Sequence, residues 1–451
     1  MKRSLIYLVS ICVMFLAGCS EEYAIESPKA GDEQPILEGE EPNEPAEPES
    51  PVYFTYTNHD IFSNSDTDSN LWVVVHDSEG VLLDYQKSEP GVEVVFESID
   101  GPVTDRITVT VFNKLKIFDD SETFYINTYL DVEKGALWSN TPKTSLEPTG
   151  RFDFSAFNVP DWEAFAVSSG DSYGFDGIQG LYEAQYPDVE VGNLRADNIA
   201  IINEDEFLFT LTDPLGRSKY SMLTGVKDGD SVAVDAANLL DFDKITQINV
   251  PPHDYLGFHV TAQFSRNGFP RGLRLSPAFL RPETPFEVLE LGYLDSFEVY
   301  RSDIDLETNN YRYSYVKTGT PIEAFEFPAA PTFEVVNSAS TDFSLKTSAT
   351  FVYQTTDFKA SEPTDDGGSL GSRTNWSVTA KPNRFKSLVS LPKDLIEESG
   401  IYLQDSEYNY TRLYTISRPY NEEMNARFGI SNSQEIEASE TESFTFYRSN
   451  D

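Results

Sequence analysis

Short apolar runs with a period of two, broken again and again by turn residues, are what this chain has to fold with, and they demand β-structure. Ile107, Val109 and Val111 alternate with Thr108 and Thr110, which suits a strand with one buried face. Residues 71–75 and 81–85 flank Asp77-Ser78-Glu79-Gly80 and read as two strands around a tight turn. Further strands are predicted at 92–96, 207–211, 297–300, 311–316, 333–336, 348–353 and near 443–447. Residues 258–264 lead through Asn267-Gly268 into 273–275, a hairpin signal. Helical candidates are few: 392–398, with Pro392 at the start and Gly400 as the stop, and 422–428. The expected fold class is mainly β, with a mobile loop at 360–372.

Both cysteines, Cys12 and Cys19, lie at the N-terminus, so no disulfide can staple the β-body. The chain opens Met1-Lys2-Arg3 and continues with an apolar run over 5–17 broken by Ser10. It then reaches Leu16-Ala17-Gly18-Cys19. A basic start, an apolar run too short to span permanently, and small residues before a cut are the features of an export signal over residues 1–18. The Leu-Ala-Gly-Cys stretch resembles the lipobox of bacterial lipoproteins. The resemblance implies that the thiol of Cys19 receives a diacylglyceryl group, that cleavage precedes it, and that the new amine is acylated, typically with palmitate. Ser20, in place of aspartate, is similar to lipoproteins passed on to the outer membrane. Glu21 and Glu22 resemble short signals that carry such proteins to the cell surface, which implies that side rather than the periplasmic face. Residues 19–51, where Pro35, Pro42, Pro45, Pro48 and Pro51 alternate with glutamates, cannot bury a core and read as a disordered acidic tether.

Against 33 basic residues stand 75 acidic ones, a net charge of −42. Such a field repels polyanions, so nucleic acid is not an expected partner. No later stretch has the roughly 18 apolar residues of a spanning helix, and the body is expected to be soluble. Two or three β-sandwich-like domains are expected: 52–140, 141–330 and 331–451, the last boundary set near Pro328-Ala329-Ala330-Pro331. The first looks like the immunoglobulin-like or carboxypeptidase-regulatory-like modules that follow the tether in bacterial surface lipoproteins. The passage from Val226-Lys227-Asp228-Gly229-Asp230 to Phe242-Asp243-Lys244-Ile245 is similar to ones in uncharacterised Gram-negative surface lipoproteins, which carry no assigned activity.

Four patterns could carry chemistry. Gly170-Asp171-Ser172-Tyr173-Gly174 has the spacing of a nucleophile elbow, which needs a strand before it and a helix after it. Glycines follow where the helix should start, and of His59, His76, His253 and His259 only the last two lie downstream. A glycine-rich turn is the better reading, and a serine hydrolase the less favoured alternative. Asp66, Asp68 and Asn70 match the first ligand positions of a calcium loop, but Leu71 and Asp77 replace the glycine and glutamate that an EF-hand requires, which favours a capped polar turn. His253 and His259 lack a helical metal spacing, so no metal and no cofactor is expected. Tyr311, Tyr313 and Tyr315 share one face of a strand and could stack on sugar rings, unless they turn inward. A second tyrosine group comprises Tyr408, Tyr410, Tyr414 and Tyr420.

Together these readings describe a non-enzymatic lipoprotein of the cell envelope, tied to the membrane by its N-terminal lipid and binding or scaffolding a glycan or another envelope protein. The nearest architecture is that of the accessory glycan-binding lipoproteins of starch-utilisation-type systems, an analogy of architecture alone.

Overall fold

The structure, a computed structural model, describes residues 52–59, 68–98, 104–117, 121–140, 148–169, 173–178, 192–202, 206–266, 269–276, 287–363, 372–428 and 438–447. The protein is mainly β, with two α-helices among these residues.

Residues 52–140 carry β1 (Val52–Thr57), β2 (Asp68–Asp77), β3 (Leu82–Ser88), β4 (Glu93–Glu97), β5 (Arg106–Ile117), β6 (Ser121–Glu133) and β7 (Ala136–Ser139). The β2–β3 hairpin forms where the turn residues predict it. Asp77 Oδ1 accepts from the backbone N–H groups of Glu79 at 2.9 Å and Val81 at 2.8 Å, and Gly80 takes φ 84°, a left-handed conformation that glycine adopts without strain. A small sheet in the order β4-β1-β7 faces the sheet β3-β2-β5-β6. Between them Phe54, Phe96 and Trp138 meet Val73, Val75 and Val109, all fully or almost fully buried. Burying one such aromatic side chain contributes on the order of 2 kcal/mol. The polar stripe of β5 does not face water: Thr110 is fully buried and pairs with the Thr128 hydroxyl at 2.9 Å.

Next come β8 (Gly150–Phe157), β9 (Ala164–Ser168), β10 (Tyr173–Ile178), β11 (Leu194–Ile201), β12 (Phe207–Thr212), β13 (Ser218–Leu223), β14 (Ser231–Asp235), β15 (Leu240–Asp241) and β16 (Lys244–Asn249). The sheet β11-β8-β14 packs on β10-β9-β12-β13-β15 through Phe152, Phe154, Phe165, Phe207 and Phe209. Every residue of β9 and β12 is buried, because each of the two is covered on both faces. That explains the unbroken apolar lettering Ala-Phe-Ala-Val. Their other face, with Ala164 and Leu208, joins the next core.

That core is shared by β17 (Tyr255–Arg266), β18 (Phe269–Arg274), β19 (Val288–Tyr293), β20 (Val299–Glu307) and β21 (Arg312–Gly319), with β16 paired to β19. The C-terminal part adds β22 (Phe333–Ala339), β23 (Asp342–Thr347), β24 (Tyr353–Ser361), β25 (Arg373–Ala380), α1 (Lys393–Ser399), β26 (Glu407–Ile416), α2 (Tyr420–Phe428) and β27 (Ser439–Tyr447). Gly400 stops α1 at φ 71°, its N–H bonding Ile396 O at 3.1 Å. The strand predicted at 348–353 starts only at Tyr353, because Ser348 N–H bonds Thr332 O and closes the β22–β23 hairpin.

One sheet runs through both ends of the chain, in the order β18-β17-β20-β21-β27-β26-β24-β25-β6-β5-β2-β3. Among the described residues its only parallel joint is β25 against β6, with Trp376 opposite Ile126. Strand pairing is therefore continuous between the expected 52–140 and 331–451 units. One face carries two apolar cores: Trp72, Phe112, Phe124, Phe358 and Trp376 lie under α1 and the β22–β23 hairpin, while Phe258, Val260, Ile304 and Tyr313 lie under the β16–β19 pair. The other face changes character. It is apolar over β2, β5 and β6, where the small sheet covers it, and polar from β24 to β18.

Candidate functional site

Register fixes what the polar face displays. Thr355 pairs with Arg412, Arg412 with Thr445, and Thr445 with Arg312 across β24, β26, β27 and β21. Alternation places Asp357, Tyr410, Tyr414, Ser443, Tyr447, Ser314, Asp305, Asp303 and His259 on this same side. Arg412 is half-buried; its Nε donates to Thr445 Oγ1 at 2.7 Å and its Nη1 to the Tyr414 hydroxyl at 3.3 Å. Among the described residues no carboxylate lies within ion-pair distance of it. Arg427, from α2, lies over the rings of Tyr414 and Tyr353, donates to the Tyr353 hydroxyl, and pairs with Glu423 at 2.8 Å. Tyr353 stacks on Tyr414 with ring centroids 4.3 Å apart and 15° between planes. Arg312 pairs with Asp305 at 3.1 Å.

Electrostatics follow from this crowding. Burial alone would raise the Tyr414 phenol, but the guanidinium groups of Arg412 and Arg427 outweigh it and draw the phenol below its ordinary value. Burial pushes the Asp357 carboxyl up to about 6, although Ser377 Oγ and Asn409 Nδ2 donate to its two oxygens at 2.8 and 2.7 Å and favour the charged form. Burial also raises the Tyr353 and Tyr410 phenols.

Further along the face, His259 Nε2 lies 2.8 Å from Thr261 Oγ1 and accepts from Arg274 Nε at 3.2 Å, while Nδ1 is 4.0 Å from Asp303 Oδ2. Arg301 grips both oxygens of Asp303. The carboxylate–imidazole–hydroxyl sequence resembles a nucleophile relay, but the Arg274 N–H occupies the Nε2 lone pair a general base would use, and 4.0 Å is too long for an orienting hydrogen bond. Burial lowers the His259 pKa, which keeps it neutral. The group is a polar ladder across β18, β17 and β20.

The residues singled out in the sequence are scattered. Tyr313 and Tyr315 are 1% and 5% exposed, point to the apolar face, and pack on Phe325; their hydroxyls donate to Glu442 and Glu440. Tyr311 is half-buried against Phe444. The three tyrosines turn inward, so no sugar ring can stack on a row of them. Asp66, Ser172 and Cys19 lie outside the described residues, and Asp68 and Asn70 fall within strand β2 rather than a turn. After β9 the chain continues as strand β10, antiparallel to it, and not as the helix that a nucleophile elbow requires. His76 is fully buried beside the Ser390 carbonyl at 2.9 Å, and His253 Nδ1 sits 2.9 Å from Pro251 O. Of the second tyrosine group, Tyr408 and Tyr420 are core, whereas Tyr410 and Tyr414 flank Arg412. Arg412 itself had one sequence signal: a basic residue at the i+2 position between two tyrosines in a strand.

A scan of the chain against protein-family models finds no match, and a search of curated proteins finds no relative.

Proposed function

We propose that the chain is a lipid-anchored, non-catalytic binding protein of the outer membrane, held through Cys19 and offering the polar face of its large sheet to a ligand. The observation that carries this reading is Leu16-Ala17-Gly18-Cys19 at the end of a short apolar run, followed by the proline- and glutamate-rich stretch up to residue 51. Two or more acyl chains anchor a protein stably without a spanning helix, and among the described residues no helix is long and apolar enough to cross a membrane. A face of hydroxyls, guanidinium groups and phenols on a rigid sheet supports binding: it offers directional donors and ring faces on a preformed surface. A glycan is the ligand class this chemistry favours, in line with the accessory role of starch-utilisation-type lipoproteins.

Protease shaving of intact cells tests the reading, with Cys19→Ala as the control. The body is expected to be lost from outside in the native protein, and the variant to leave the membrane fraction. Continued anchoring of the variant would contradict the lipid attachment, and protection of the native body would place it on the periplasmic side.

A further inference from the structure

Arg412 sits in the middle of the polar face as a half-buried cation among hydroxyl groups, those of Thr445, Thr355, Tyr410 and Tyr414. Two other arginines on this face have acids of their own, Arg312 with Asp305 and Arg301 with Asp303. Asp357, on the adjoining strand, senses the Arg412 charge, yet both its oxygens are committed to Ser377 and Asn409. A guanidinium has five N–H donors, and Thr445 and Tyr414 engage Nε and Nη1 alone, so donors on the remaining fork stay open. A partly desolvated guanidinium has no paired carboxylate among the described residues, and a planar oxyanion fits that fork by two parallel hydrogen bonds.

The surroundings narrow the ligand. Tyr447, 45% exposed, forms the open rim and meets the Tyr410 ring edge-on, with centroids 6.2 Å apart. Below it Thr355 and Ser314 are half-buried, while Ser443 and Thr445 are buried, the Thr445 hydroxyl being engaged by Arg412. Rings at the rim and hydroxyls below suit a polyhydroxylated ring, and the guanidinium suits a carboxylate carried on it. We propose that Arg412, with Tyr410 and Tyr447, binds the carboxylate of an acidic sugar, a uronate unit of a glycan. The inference rests on the binding-protein reading above. In a chain of −42, the long-range field disfavours such a ligand, so the contact must be short-range and fork-shaped.

The test is titration calorimetry on the full-length lipidated protein in detergent. It uses a galacturonate oligosaccharide, the same oligosaccharide with its carboxyls reduced, and sodium acetate at matched ionic strength. Saturable binding of the acidic oligosaccharide is expected, with no binding of the reduced one and none of acetate at comparable concentration. Arg412→Leu and, at the rim, Tyr447→Ala should each weaken it at least about tenfold; Arg412→Lys, which keeps the charge and loses the fork, should weaken it as well. Tyr447→Ala and Arg412→Lys cover the case in which Arg412→Leu does not fold. Equal binding of the reduced oligosaccharide would overturn the carboxylate contact and leave glycan binding standing. Equal binding of acetate would reduce the site to a bare anion site and overturn the sugar. Binding untouched by all three variants, or no binding of any probe, would overturn the proposal while leaving the anchoring, read by cell fractionation, to stand or fall separately.

Discussion

Asp357 is a residue that the fold holds against its own preference. Its carboxyl is raised to about 6 by burial, whereas in the unfolded chain it returns to roughly 3.9. The folded state therefore binds the proton more tightly between those values. The stability this lends is fully present below the unfolded value and is lost as pH rises through about 6, a swing of about 3 kcal/mol. Asparagine at this position keeps an acceptor for Asn409, and its amide can donate to the Ser377 hydroxyl. Asp357→Asn is expected to raise the denaturant midpoint at pH 8 and leave it nearly unchanged at pH 4. A loss of stability at pH 8 would instead make the carboxylate a necessary counter-charge to Arg412. At this scale the sequence was legible for types and silent on directions: that tyrosines gather in the last third can be read from the letters, but which face of the sheet each takes depends on strands far away in the chain.

Elements were more legible where their causes are local. The β2–β3 hairpin follows from Asp77 and Gly80, the stop of α1 from Gly400, and β17 and β18 pair around Asn267-Gly268 as expected. The β6–β25 joint has no such local mark, since a parallel pair needs a long crossover and its register follows the buried face shared by Phe124, Ile126, Trp376 and Val378. Close approach between elements is equally unannounced. Gly292, in β19, admits the ring of Phe242: a Cβ there would lie 2.2 Å from Phe242 Cδ2. Phe242 is 5% exposed and rests on Tyr220 at 5.0 Å, so it has nowhere to move. Gly292→Ala is expected to destabilise the protein by about 3 kcal/mol through overpacking, seen as a lower denaturant midpoint with an unchanged slope. A neutral effect would mean that the Phe242 ring swings out without loss.

In the whole molecule, strand pairing runs in one sheet from β2 and β3 near the start of the described residues to β27 at their end. The mainly β class was open to sequence reasoning because period-two runs and turn residues recur along the chain. The sharing of one sheet by distant segments was not, because pairing partners leave no trace in composition. The acidic excess, a net charge of −42, opposes close approach to anionic surfaces. The central claim is that Cys19 becomes the lipidated N-terminus, and the most direct measurement is mass spectrometry of the N-terminal peptide from protein purified out of the membrane fraction. The account expects a peptide that begins at Cys19 and carries the mass of a diacylglyceryl group and an amide-linked acyl chain. A peptide that retains residues 1–18, or a Cys19 with a free thiol, would contradict it.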